Sequence, residues 1–450
     1  MDILIKIAQL FLCFTILVGI HELGHFLMAR AFKIRVEKFY IFFDPWFSLF
    51  KFKRGDTEYG LGWLPLGGYV KIAGMIDESM DKEQMKQPVK PDEFRAKPAW
   101  QRLLVMVAGV MMNVLLAIVI YCAVCYTWGD SYFSNQDAKW GYNFNPTAHE
   151  MGFRDGDRFV SIDGEEIDNV MRVQNDLLIT DGGRRVVVER GGEPVTLDIP
   201  FESLLRMRQE KAYEDLFTLR LPFIVDSVSY TSAVEAGLQS GDEVVAIDDL
   251  RDADYPRYRD YLQKHKNDKV LLTVRRDGAL IDSLALPVDA EGRIGVTVTN
   301  PYSLRTQYYT FWESIPAGIH KAGKTISSYW DQLKLIVQPK TKMYEELGGF
   351  VAIGSIFPGS WDWHDFWLKT AFLSIILAVM NLLPIPGLDG GHALFTLWEI
   401  ITRRKPSEKF LEVAQYVGLM IILALLVYAN GNDIYRFFIK SVSYTHLRAH

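Results

Sequence analysis

The sequence predicts a polytopic α-helical membrane protein of four transmembrane helices, carrying two inserted mainly-β domains and a cytoplasm-side β-hairpin region. Three observations predict it. Four apolar stretches, near 4–29, 103–126, 366–383 continuing to 401, and 413–428, are each long enough to cross a bilayer, which takes roughly 20 apolar residues. Between the second and third lies a long polar stretch containing two copies of one pattern. Between the first and second, residues 35–72 are rich in Phe, Tyr, Val and Gly and turn at Arg54-Gly55-Asp56.

The composition agrees. Of 450 residues, 49% are hydrophobic, high for a wholly soluble chain, and the length exceeds one compact domain. A net charge of -6 gives no reason to expect a nucleic-acid partner. Cys13, Cys122 and Cys125 all fall in apolar runs, so no disulfide framework is expected. The C-x-x-C spacing of the last two lacks a second pair to complete a zinc site, and they read as small helix residues.

The first element, 1–30, is a span carrying His21-Glu22-Leu23-Gly24-His25. Residues four apart share a helix face, so His21 and His25 can grip one metal ion, with Glu22 beside them to handle a proton. Ionisable groups at membrane depth are expensive, and a bound zinc ion would compensate three in five positions. A chance H-E-x-x-H on a core helix is the bland alternative, but it gives no reason for a glutamate in such a setting. A cleaved signal peptide is disfavoured by Asp2 in the n-region and would discard this motif.

Next comes a β-rich loop, 31–102, then the second span, 103–127. Arg30, Lys33, Arg35, Lys38, Lys97 and Arg102 flank these spans, and Arg403, Arg404, Lys405 and Lys409 flank the later pair. Positive charge marks both loops as cytoplasmic, so the stretch from about 128 to 365 faces the other side. His25 then lies roughly 8 Å inside the cytoplasmic end at Arg30.

In the outer stretch, Ala148-His149-Glu150-Met151-Gly152, continuing to Gly156-Asp157, recurs as Ala233-Val234-Glu235-Ala236-Gly237, continuing to Gly241-Asp242. At the same offset Ile162-Asp163 matches Ile247-Asp248, and Arg190 matches Arg275. Two domains of one kind are expected, at 140–205 and 215–290. An amphipathic helix at 305–340, with Trp312, Ile315, Ile319, Trp330 and Leu333 beside Lys321 and Lys324, fits either the outer membrane surface or packing on the β-domains.

The third span, 366–402, meets Pro384, Pro386, Gly387, Gly390 and Gly391 around Asp389, its only carboxylate before Glu399. Irregular backbone at membrane depth survives only where protein buries it or it lines a wet cavity. A catalytic zinc usually has three protein ligands and one open position. Asp389 is the candidate third; a helix-capping role is compatible with ligation, and His392 is a weaker candidate. The fourth span is 411–438, and the tail 441–450 has no periodicity and no assigned role.

These residues carry two resemblances. The repeated pattern A-x-x-A/M-G-x-x-x-G-D-x-x-x-x-I-D resembles the PDZ family, which implies a peptide ligand added as a strand to a sheet edge; spacing or shielding is the alternative. The H-E-L-G-H string with Asn381-Leu382-Leu383-Pro384-Ile385-Pro386-Gly387-Leu388-Asp389-Gly390-Gly391-His392 resembles the site-2 protease family of intramembrane zinc metalloproteases. Four spans with tandem PDZ domains narrow this to the bacterial regulator-of-sigma-E protease type, and Gly67-Gly68-Tyr69 and Ala108-Gly109 with Asn113 extend it over nearly the whole chain.

The resemblance implies Zn2+ held by His21, His25 and Asp389, Glu22 as catalytic base, and substrate contacts by Asn381, Gly67 and Gly68. It also implies single-span membrane protein substrates in the lipid bilayer of a bacterial inner membrane, with the PDZ domains on the extracytoplasmic side. Anti-sigma-factor release and clearance of remnant signal peptides are both family activities. Val110, Gly349-Phe350 and Phe42-Phe43-Asp44 depart from the family pattern, which bears on the substrate groove rather than the ligands. Two other classes remain: a membrane-tethered PDZ scaffold with an inactive zinc site, against which Glu22 argues, and a transporter, disfavoured by a single broken helix and no inverted repeat.

Overall fold

The computed structural model describes residues 2–64, 67–75, 88–213, 215–251 and 254–436. The tail 441–450 and Pro65-Leu66 lie outside the described residues. The chain divides into two units, 1–130 with 308–450, and 131–307.

The first unit is built on six long helices: α1 (Asp2–Ala31), α2 (Ala99–Trp128), α3 (Phe311–Val337), α4 (Trp363–Leu382), α5 (Asp389–Thr402) and α6 (Glu408–Tyr435). Four of them, α1, α2, α4 and α6, are long and apolar enough to cross a membrane. Helix α2 is the hub, packing against α1, α3, α4 and α5. Small residues make the approaches close: a Cβ on Gly24 of α1 would lie 2.5 Å from the Ala108 carbonyl oxygen of α2.

The amphipathic segment forms α3, and its apolar face packs on α2 and α4, with Ala322 fully buried beside Ala117, Tyr121 and Ala371. Lys321 pairs with Asp130 at 2.8 Å. Periodicity foretold an amphipathic helix on the outer membrane surface or on the β-domains; the surface packed against it here is that of neighbouring helices of the same unit. Of the apolar residues that the sequence singled out, Trp312, Ile319 and Trp330 remain exposed.

The predicted break in the third span separates α4 from α5. Helix α4 starts under the Asp362 carboxylate, which accepts from the His364 and Asp365 N–H groups, and it stops before Pro384. Gly387 takes φ +101°, and a Cβ on Gly390 would sit 2.3 Å from the Leu383 carbonyl oxygen. The glycines therefore let the chain double back and restart as α5 with Asp389 in its first turn. Arg102 of α2 donates to Glu399 of α5 at 2.6 Å, both side chains largely buried, which ties the restarted helix to the hub. Helix α6 meets the break at Gly418, whose Cα faces the Pro386 carbonyl, and its Asp433 accepts from the backbone N–H groups of Gly349, Val351 and Ala352, each at 3.0 Å.

The loop after α1 forms a four-stranded sheet in the order β2-β3-β1-β4, with β1 Val36–Ile41, β2 Phe50–Arg54, β3 Thr57–Leu61 and β4 Tyr69–Ile72. It does not extend away from α1 but folds back along it. Phe39 meets Phe26, Ile41 meets Gly19, and Phe42 meets Phe11 with ring centroids 5.2 Å apart. Phe11 stands roughly 28 Å along the helix from Arg30, so the sheet follows α1 through most of its length.

The second unit contains two four-stranded sheets with matching strand order. One runs Glu193–Ile199, Arg184–Arg190, Arg158–Ile162, Glu165–Glu166; the other runs Ala279–Pro287, Lys269–Arg276, Glu243–Ile247, Leu250–Arg251. Each has its own apolar core. Asp163 and Asp248 both take φ 51° and accept from a backbone N–H of the adjacent strand, at Arg185 and Leu271. The buried carboxylates Asp157 and Asp242 each receive a two-pronged guanidinium, from Arg190 and from Arg276. The expected match of Arg190 with Arg275 is thus corrected by one position. An extra residue lies between Asp248 and Leu271 relative to Asp163 and Arg185, so Arg275 pairs instead with Glu243. The ends of the unit meet, with Ser131 Oγ 2.9 Å from Thr306 Oγ1.

Candidate metal centre

Helix α1 buries a stripe, with Cys13 and Leu17 packed beside Phe366 and Leu373 of α4 and His21, Gly24 and His25 against α2. One helical turn sets the two imidazoles on that stripe edge to face, centroids 4.9 Å apart, with Nε2 atoms separated by 3.3 Å. The restart of α5 brings Asp389 to the same point: its Oδ2 lies 3.1 Å from His21 Nε2 and 3.3 Å from His25 Nε2. That oxygen is buried, and despite this proximity no donor is oriented to bond it. Three lone-pair donors converge, one of them an orphan, which is a costly arrangement without a cation between them.

The spacing decides what cation suits. A tetrahedron with arms of about 2 Å has edges of roughly 3.3 Å, so these separations match zinc with imidazole and carboxylate ligands. His25 is oriented from behind by the Val105 carbonyl, 2.8 Å from its Nδ1. His21 Nδ1 faces the Asn113 side chain at 3.2 Å, and Asn381 Nδ2 stands 3.5 Å from His21 Nε2.

Both rings lie against the bare backbone of Gly109. A Cβ there would fall 2.4 Å from His25 Nε2 and 2.7 Å from His21 Cε1. We expect Gly109→Ala to push the rings off their common point. Zinc affinity should fall about 10-fold or more while overpacking costs about 1–3 kcal/mol, measured by chelator competition and thermal unfolding.

The cluster opens on a cavity of about 750 Å³ lined by Glu22, Gly67, Gly68, Tyr69, Val70, Lys71, Asn381, His392 and Gln415, among others. Gly68 packs against Glu22, since a Cβ would lie 3.0 Å from its Cγ, and Gly67 takes φ +147°. All seven residues singled out from the sequence therefore line this cavity. His392 also lines it, but the three-residue ligand cluster is His21, His25 and Asp389. Sequence reasoning missed Gln415, a buried amide reaching the cavity from α6; a lone polar residue at the start of an apolar helix was its only signal.

The arrangement combines a metal site, an adjacent carboxylate and room for an extended chain, the parts that hydrolysis needs. A model of peptidase family M50 matches residues 9–425. The chain is 29% identical over 427 residues to a "Putative zinc metalloprotease" of Clostridium perfringens, covering 94% of this chain and 96% of that one. It is 29% identical over 462 residues to a protein of the same name from Vibrio cholerae, covering 97% and 99%. Against the "Regulator of sigma E protease" of Haemophilus influenzae it is 27% identical over 460 residues, covering 97% and 100%.

Proposed function

The chain belongs to peptidase family M50, the site-2 protease family, and on that premise we propose that it is a zinc endopeptidase that cuts transmembrane segments of single-span proteins within the bilayer. One observation carries this reading: two histidines of an apolar helix and an aspartate from a helix break meet at one point, with Glu22 on the same cavity. His21, His25 and Asp389 would hold the ion, and when bound zinc supplies Lewis acidity toward the scissile carbonyl and water. Glu22 takes the proton from the attacking water and returns it to the leaving amine. The Asn381 amide, 3.5 Å from His21 Nε2, would donate to the substrate backbone.

A helical substrate hides its carbonyls in its own hydrogen bonds and must unwind first. Among the described residues strand β4 pairs with β1 on one side only, and its residues line the cavity, so its other edge can hold an unwound segment as an added strand. Gly67 and Gly68 keep that path clear beside Glu22. We place the protein in a bacterial inner membrane, with the 131–307 unit outside and PDZ-like, on the charge pattern of the loops and on the matched pair of sheets. Its substrates would include an anti-sigma factor or remnant signal peptides. The test is purified chain with a single-span substrate: mass spectrometry should find the new ends inside the apolar segment, and a zinc chelator should stop the cut reversibly. Cleavage confined to exposed loops would defeat the proposal.

On the orientation read from the loop charges, we assign the 131–307 unit a filter that refuses substrates with bulky outer domains rather than delivery of peptide to the ligands. Its adjoining ends allow excision of 131–307 with a short bridge. The excised protein should keep cutting short substrates and begin to cut a reporter with a folded outer domain. Equal rates on that reporter with and without the unit would reject the filter and favour plain peptide binding.

A further inference from the structure

An extended chain has two edges. In a segment added to β4, every second residue exchanges its N–H and C=O with the strand, and the residues between point theirs the opposite way. Water would satisfy those outward groups at a protein surface. At membrane depth each one left unmatched is costly, so the far edge needs a partner of its own.

Helix α6 supplies a group suited to that edge. Gln415 is its only side-chain amide between Ser407 and Asn430, in a segment that is otherwise mostly apolar. It is 6% exposed and, among the described residues, is the one α6 side chain that lines the cavity and has no hydrogen-bond partner there. An amide buried at that depth is itself a cost unless something arrives to bond it.

The direction from which it enters is fixed by packing. Gly418, Leu419 and Ile422 follow Gln415 by three, four and seven residues and share its helix face. All three meet the break between α4 and α5. Gly418 faces the Pro386 carbonyl too closely for a side chain, and a Cβ on Gly387 would lie 3.5 Å from the Leu419 nitrogen and 3.3 Å from Ile422 Cδ1. Gln415 thus belongs to the wall made by the break and α6, and β4 to the wall made by the sheet.

We propose that Gln415 is a substrate-binding residue, its amide pairing with the outward N–H and C=O of one residue of the unwound segment while β4 holds the other edge. A primary amide carries an acceptor and two donors in one plane, so Oε1 accepts the N–H while Nε2 donates to the C=O. A single side chain then does what a second neighbouring strand would do. The bonds go to backbone, so they recognise extended chain rather than a particular side chain. A helical segment spends the same groups internally, and the amide therefore favours substrate only once it has unwound.

This role rests on the protease reading, and the test alters both partners so that the two can be told apart. A series of synthetic single-span substrates carries one ester in place of one amide near the cut, each deleting a single N–H. Full-length wild type and Gln415→Leu, both zinc-loaded in detergent, are compared by kcat/KM, with zinc content measured in each. Losing two hydrogen bonds should cost Gln415→Leu about 5- to 100-fold at unchanged zinc content. At one ester position the wild type should lose about 2- to 10-fold and the variant nothing, since its bond is already gone. Gln415→Met, of matching length and without a donor, takes the place of Gln415→Leu if that chain fails to fold. Equal kcat/KM in wild type and variant, or equal ester penalties in both at every position, would overturn the proposal and leave the protease reading standing. Zinc lost with the substitution would make Gln415 a support of the metal centre and overturn the contact as well. Zinc-loaded wild type that cuts no ester-free substrate overturns the protease reading and this role together.

Discussion

Glu22→Gln should stop peptide hydrolysis and leave zinc in place. The substitution keeps the size of the side chain, its place on the cavity and its packing against Gly68, and none of the three ligand atoms belongs to it. What disappears is the capacity to take a proton. General-base catalysis is worth about 10²- to 10⁴-fold, and here the same group must also protonate the leaving amine, so the loss should reach the upper end or beyond. Elemental analysis should give wild-type zinc, and a single-span reporter should accumulate uncut. Cleavage at a tenth of the wild-type rate or faster would remove Glu22 from the chemistry.

Asp389→Ala should fail earlier, at metal binding. Its Oδ2 is the third donor at 3.1 and 3.3 Å from the two imidazoles, and among the described residues the cluster holds no fourth ligand to take its place. The fold should survive, because alanine is at home in a first helical turn and losing an acid there costs only about 0.3–1 kcal/mol. Zinc-binding and activity should therefore vanish together in a protein that still melts near the wild-type temperature. Zinc retained at full occupancy would transfer the third position to another group, with His392, one turn further along α5 and on the same cavity, the first to examine.

The parts legible in the sequence are those where chemistry conflicts with surroundings. Histidines four apart with a glutamate in an apolar helix, and an aspartate among prolines and glycines at membrane depth, are each costly unless used, so they could be picked out without coordinates. The four helices were legible for the same reason, as apolar length has few other uses. What escaped was whatever depends on which neighbour is present. The apolar stripe of α3 said that something covers it, not that α2 and α4 do. The loop after α1 read as strands, but its return along α1 from Phe26 to Phe11 follows from ring-to-ring packing that no local pattern encodes. Gly109 stood out in the sequence only through the resemblance, and that two imidazoles occupy the space its side chain would need was not legible there. The one-residue slip that makes Arg276 the counterpart of Arg190 was hidden because Arg275 stood next to it.

The two halves of the ligand set lie near opposite ends of the chain, at His21 and His25 and at Asp389. On a ribosome moving at about 5–20 residues per second, roughly 20 to 70 seconds separate the synthesis of the first pair from that of the third. Throughout that interval the nascent protein sits among other membrane helices with an open pair of imidazoles and no way to complete the centre. On the proposed ligand set, a chain abandoned before α5 would be inert, and hydrolytic power would arrive only once Asp389 is made. Truncated products, which quality control must in any case clear, would then pose no threat to the helices around them.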